Sequence, residues 1–211
     1  MKFDKIMNTI FKIFWIFVIG SVFGFFAEML YALVYTRMIE IRRGLLYGPF
    51  IQVYGIGAVA YYLLVSRVEN PKKVFFIGMI AGGILEYLCS FLQEVFFGTI
   101  SCDYSNLFMN INGRTSLLYC FYWGIIGVAY LKVVKPYLIK LDNLIEIKWV
   151  RVLTYFFMIF MIFDITISCM AGARQEARRK KLPPKNKIEI FIDEKYPDSF
   201  MDKIYNNKKN I

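Results

Sequence analysis

The chain has 211 residues, 58% of them apolar and 18% aromatic, against roughly half apolar in a soluble domain. A chain this short leaves much of its surface exposed however it folds, so the apolar excess excludes an ordinary soluble domain and points to an integral membrane protein. Lys and Arg number 26 against 16 Asp and Glu, a net charge of +10, and there is no histidine, which removes His-based triads, His-ligated zinc and His pH switches.

Five stretches approach the twenty or so apolar residues that cross about 30 Å of hydrocarbon. Residues 13–35 come first, interrupted only by Glu28. Lys2, Lys5 and Lys12 precede this run like the charged end of a signal peptide, but the run is too long and no small-residue cleavage site follows, so it reads as a retained signal anchor. Residues 49–66 carry no charge and open on Gly48-Pro49, where proline suits a first helical turn. Residues 74–97 contain Glu86 centrally and Glu94 near their end, residues 115–131 are uncharged, and residues 152–171 contain Asp164. The expected architecture is therefore an all-α integral membrane protein of about five transmembrane helices.

Between the last two spans, residues 135–148 place Leu138, Leu141, Leu144 and Ile145 at helical spacing among lysines, the pattern of an amphipathic helix lying in the interface. From residue 172 a polar, basic tail begins. Its Arg174, Arg178, Arg179, Lys180 and Lys181 precede the stiff Leu182-Pro183-Pro184, and residues 188–207 hold short helical patterns with Asp198 as an N-cap for the second. The expected units are a membrane domain over residues 1–171 and a soluble basic tail over residues 172–211. Outside the tail, 11 basic residues fall on one side of the membrane and 4 on the other when the N-terminus is placed inside. Five crossings then put the tail outside, against the positive-inside tendency, unless the span over residues 49–66 or that over residues 115–131 is only half inserted.

An internal repeat organises the membrane domain. Gly20, Gly24 and Glu28 recur as Gly78, Gly82 and Glu86, and the Gly44-Leu-Leu-Tyr47 segment is echoed by Ser116-Leu-Leu-Tyr119. The unit is a helical hairpin used twice, about residues 13–66 and 74–131, with both copies in the same orientation. Glycines four residues apart share one helix face and let a neighbouring helix approach closely. The glutamates need an explanation, since an acidic residue near mid-membrane costs roughly 2.5–3.5 kcal/mol. Protonation, a watery cavity or a cation such as Arg42, Arg43 or Arg114 would offset it. Equally, each glutamate is compatible with a structural bond joining the repeats.

Residues 99–114 hold the densest set of hydrogen-bonding side chains in the chain, including Asp103, Tyr104, Asn110, Asn112 and Arg114, all turn formers or their neighbours. The matching connection before the second span contributes Arg43, Tyr47, Gln52 and Tyr54. A site where the hairpins meet would collect Glu28, Glu86, Arg43 and Arg114. Of the cysteines, Cys89, Cys120 and Cys169 lie in apolar spans and Cys102 in a loop, with no Cys-x-x-Cys pair, so no disulfide framework, metal site or cofactor is expected.

At RRGLLYGPFIQVYGIGAV and DYSNLFMNINGR the sequence resembles the bacterial CmpB-like family, an ABC-transporter type IV group whose members carry NRGFLYGPxxPIYGFGA and WDYS…NxNG. A related group of animal transmembrane proteins shares the pattern. The resemblance runs from Phe17 to about Asp164. It departs from the pattern at Ile41-Arg42, at Gln52-Val53 in place of Pro-Ile, and at Cys102 in place of tryptophan. What it implies is a multi-pass protein of the bacterial plasma membrane and a permease role.

Three function classes follow. A permease of unknown substrate would need a separate ATPase subunit, since no G-x-x-x-x-G-K-[ST] loop is present, and a homodimer would supply ten spans. A scaffold would pack through its glycine faces and meet anionic lipid or a soluble partner with its tail. An intramembrane enzyme acting on lipid would use Glu28 or Glu86 as acid or base, although no nucleophile–base pair supports it. Nucleic acid is not an expected partner, because the basic residues flank the spans or lie in the tail.

Overall fold

The computed structural model describes residues 2–38, 41–100, 103–205 and 209–210, so Cys102 lies outside the described residues. The helices are α1 (Lys2–Thr36), α2 (Gln52–Val65), α3 (Pro71–Phe97), α4 (Leu117–Ala129), α5 (Leu138–Ile145), α6 (Lys148–Arg179), α7 (Lys187–Lys195) and α8 (Asp198–Ile204). Two-residue strands form two small antiparallel pairs: β1 (Thr99–Ile100) with β4 (Lys209–Asn210), and β2 (Asn110–Ile111) with β3 (Thr115–Ser116).

Among the described residues, four helices are long and apolar enough to cross a membrane: α1, α3, α4 with its continuation to Tyr137, and α6. Helix α2 has 14 residues, about 21 Å at 1.5 Å per residue, short of the hydrocarbon thickness. It starts three residues later than the sequence predicts. Gly48 adopts a left-handed φ of 74°, Gly44 N–H donates to Phe50 C=O and Ile51 N–H to Ser21 C=O, so residues 44–51 form a folded loop and Pro49 stays outside the helix. At its far end the chain turns within five residues, and Asn70 caps α3 by accepting from Lys72 N–H and Lys73 N–H, with Pro71 at the first position.

Helices α1 and α2 run antiparallel. Gly24 meets Tyr54, Gly55 meets Ser21 and Phe17, and the Lys12 ammonium lies over the Tyr62 ring, so α1 positions fall as α2 positions rise. Helices α3 and α4 repeat the arrangement, with Gly83 against Cys120, Gly124 against Phe75 and Gly127 against Val74 C=O. Between the pairs sits one core of Ile16, Tyr61, Val65, Val74, Trp123, Tyr130 and Leu138, in which the Tyr61 hydroxyl donates to Trp123 C=O.

The expected interfacial helix at 135–148 is shorter in the structure. A π-helical turn at Tyr130–Val134 and a 3-10 turn at Lys135–Tyr137 lead into α5. Leu138 and Ile145 are buried while Leu144 is exposed, and Asp142 pairs with Lys12 at 2.7 Å. Helix α6 then runs parallel to α1: Arg151 donates to Asn8 at 2.7 Å and Trp15 to Thr154 at 2.8 Å, and further along Met161 joins Val18, Leu45 and Phe50. One end of the bundle therefore holds the start of α1, α5 and the turn before α3. The other holds the loops before α2 and α4 and the tail.

The tail folds back on α6, which continues as helix through residue 179. Arg174 grips Asp193 through two bonds, at 2.6 and 3.0 Å, and Glu189 at 3.1 Å. Arg178 pairs with Asp193 and with Asp198, and Gln175 donates to Asp202. Asn186 caps α7, accepting from Glu189 N–H; α8 starts after Pro197 with no side-chain cap, so Asp198 is its first helical residue rather than the expected N-cap. Beneath the ion pairs Leu46, Ala171, Ile192, Tyr196, Met201 and Tyr205 form an apolar cluster.

Two outcomes follow from this arrangement. In a cysteine-free background, thiol labelling with an impermeant reagent should group Ser66→Cys with Asn143→Cys on one side of the membrane, and Asn106→Cys with Ser199→Cys on the other. The Arg174 guanidinium holds the Asp193 carboxyl below the usual carboxylate range, outweighing its burial, with Arg178 acting in the same sense. A depressed value means that this stabilisation is complete at neutral pH and lost as the pH falls through the lowered value. Hydrogen-exchange protection over residues 187–205, taken relative to the intrinsic rate at each pH, should fall in acid, and Asp193→Asn should weaken docking at neutral pH by about 1–3 kcal/mol.

Candidate functional site

Each membrane glutamate stands one helical turn beyond a glycine that lets an aromatic side chain in. Beside Gly24 lies Tyr54 of α2, whose hydroxyl donates to Glu28 Oε1 at 2.8 Å. Arg42 Nη1 lies 3.5 Å from Glu28 Oε2. The loop that carries Arg42 is held by Gln52, which donates to Gly44 C=O at 3.0 Å.

In the second hairpin Gly82 lies against Trp123 of α4. Thr115 Oγ1 donates to Glu86 Oε2 at 2.7 Å and the Tyr104 hydroxyl to Oε1 at 3.0 Å. The Tyr54 and Trp123 rings approach to 6.1 Å between centroids. Glu28 with Tyr54, and Glu86 with Tyr104 and Thr115, thus form two polar clusters, with the Tyr54–Trp123 ring contact between the α1–α2 and α3–α4 pairs.

The other polar residues of the second loop build the loop itself. Asp103 Oδ1 accepts from Ser105 N–H. Asn110 donates to Leu107 C=O and Ser105 C=O and accepts from Gly113 N–H. Asn112 takes a positive φ of 51° and donates to the Tyr87 hydroxyl. Together with the Tyr104 N–H bond to Gly113 C=O and the β2–β3 pair, these contacts set where Tyr104 and Thr115 point.

Four sequence expectations change. Arg114 does not accompany Glu86: it pairs with Glu94 and lies over the Tyr87 and Phe91 rings at 5.5 and 5.6 Å, because two turns of α3 separate the two acids. Arg42, rather than Arg43, is the cation beside Glu28, and Arg43 makes no ion pair among the described residues. Gln52 secures its own loop. Tyr47 belongs to a different cluster, where its N–H donates to Asp164 at 3.1 Å, its hydroxyl meets that of Tyr196 at 2.8 Å and its ring stacks on Phe163. There Ser168 bridges Asp164 and Leu46 N–H, so the buried Asp164 anchors the first loop and the tail.

Sequence reasoning missed Thr115, Trp123 and the tail tyrosines. Trp123 carried a usable signal, since a large indole opposite a Gly-x-x-x-Gly face must fill the notch. The close approach makes a size test direct. A methyl at position 24 or 82 would overlap the Tyr54 or Trp123 side chain near its root, so Gly24→Ala and Gly82→Ala should each cost about 1–3 kcal/mol, read as a lower thermal midpoint in detergent.

No curated protein and no solved structure matches the chain. The profile of one family, described as "Putative ABC-transporter type IV", matches residues 15–169, which span α1 to most of α6 and include both glutamates. The chain belongs to this ABC-transporter type IV (CmpB) family of membrane proteins.

Proposed function

We propose that this chain is the membrane subunit of a transport system, in which the α1–α2 and α3–α4 hairpins act as two copies of one unit and their glutamates mark the solute pathway. The observation that carries the reading is that Glu28, bonded to Tyr54, and Glu86, one turn beyond the Gly82 notch that Trp123 fills, stand on either side of the Tyr54–Trp123 ring contact. Carboxyl groups inside an apolar bundle cost energy that a packing role does not need. The reading takes α2 as the short member of five crossings, a homodimer as the working unit and a separate ATPase as the motor. The plasma membrane is its location.

A second reading has its own support. Both oxygens of each glutamate have protein partners, as they would in a scaffold where carboxylates fasten loops to helices. Two measurements separate the readings. Purification from native membranes should bring down a stoichiometric ATPase if the chain is a permease. Glu28→Gln and Glu86→Gln should each abolish uptake or export while abundance and thermal midpoint stay within a few degrees of the parent. Parallel loss of abundance and thermal midpoint, with no ATPase recovered, would place the glutamates in a scaffold.

A further inference from the structure

The tail has two unlike faces, and only one is used within the chain. Two of the three acids of α7 point inward: Glu189 and Asp193 are held by Arg174 and Arg178, and Ile192 and Tyr196 fill the apolar cluster below. What remains outward is mainly apolar and cationic, with Glu194 as the one exposed acid of the helix. Leu182, Ile188, Ile190 and Phe191 are 52, 60, 44 and 56% exposed. Lys181, Lys185 and Lys187 are exposed beside them, and none of the three makes an ion pair among the described residues.

This face lies near the level at which the apolar run of α6 ends. Arg174 follows Ala171, the last residue of the apolar run, by three positions, about 4.5 Å along the helix. After α6 ends, the chain returns to that level: Leu182 C=O accepts from Arg174 Nη2 at 3.5 Å, and Glu189 reaches the same guanidinium. The headgroup layer outside the hydrocarbon is about 5–7 Å thick on each side, so residues 182–189 lie beside it. Exposed aliphatic and aromatic side chains among lysines, at that depth, match the pattern of a helix that inserts its apolar side at the acyl boundary and its cations among phosphates.

We propose that the outward face of residues 181–191 is a docking surface for an anionic phospholipid leaflet. It is independent of the transport reading. Apolar insertion supplies contact with any bilayer, and the lysines supply the preference for anionic headgroups, each strengthening attachment about fivefold. The ion pairs with α6 hold the segment at the depth where both can act.

The test uses the full chain, cysteine-free, reconstituted into vesicles of phosphatidylcholine alone or of equal parts phosphatidylcholine and phosphatidylglycerol. An environment-sensitive dye is placed at Ile188→Cys, with Pro184→Cys as a second reporter and Ser199→Cys as a control on the far side of the tail. In anionic vesicles the dyes at 188 and 184 should be blue-shifted and quenched by headgroup-level nitroxide lipids, while the dye at 199 stays open to aqueous iodide. High salt, or Lys181, Lys185 and Lys187 changed together to Gln, should lower the quenching severalfold. Dyes at 188 and 184 that stay water-like in both vesicles overturn the proposal and leave the face for a soluble protein. Equal quenching in both vesicles overturns its anionic selectivity.

Discussion

A carboxylate on a membrane helix must find donors within reach, and the bundle is arranged around that requirement. The glycines are the means. A neighbouring helix carrying Tyr54 or Trp123 can come this close beside an acid one turn away only where no Cβ stands between. The same close approach sets the register of α1 against α2 and of α3 against α4, and so fixes which side chains face the shared core. Packing and electrostatics are not separable here, because a helix shifted by one turn would lose its notch and its hydrogen bond together.

The second loop extends the same economy. Asp103, Asn110 and Asn112 make local bonds to backbone and to Tyr87, and in doing so they bring Tyr104 and Thr115 over Glu86. Dense polarity in a loop is thus a sign of rigidity at least as much as of ligand contact. The first loop reaches its shape differently, through Asp164 and Ser168 of α6. That longer-range support makes α6 and the tail part of the frame around the polar clusters.

The tail also changes the meaning of the net charge. As a count, its basic residues conflict with a placement opposite the N-terminal lysines. In the structure Arg174 and Arg178 are neutralised by Glu189, Asp193 and Asp198, so part of the charge is internal glue, and a folded ion-paired unit is a weaker topology signal than loose cations close to a span. Lys181, Lys185 and Lys187, on the outward face, are among the tail lysines that make no ion pair among the described residues.

By itself the sequence determined the membrane class, the long helices and the Gly-x-x-x-Gly-x-x-x-Glu faces, because hydropathy and the helical repeat are local properties that need no partner. Tertiary structure decided the partners: Arg42 and not Arg43 for Glu28, Glu94 and not Glu86 for Arg114, Tyr196 for Tyr47, and Thr115 and Tyr104 for Glu86. It also decided the length of α2, where loop bonds to Ser21 and within residues 44–50 outcompete another helical turn. Such choices depend on the register between segments that lie far apart in the chain, and register is set by how side chains fill the notches of the neighbouring helix.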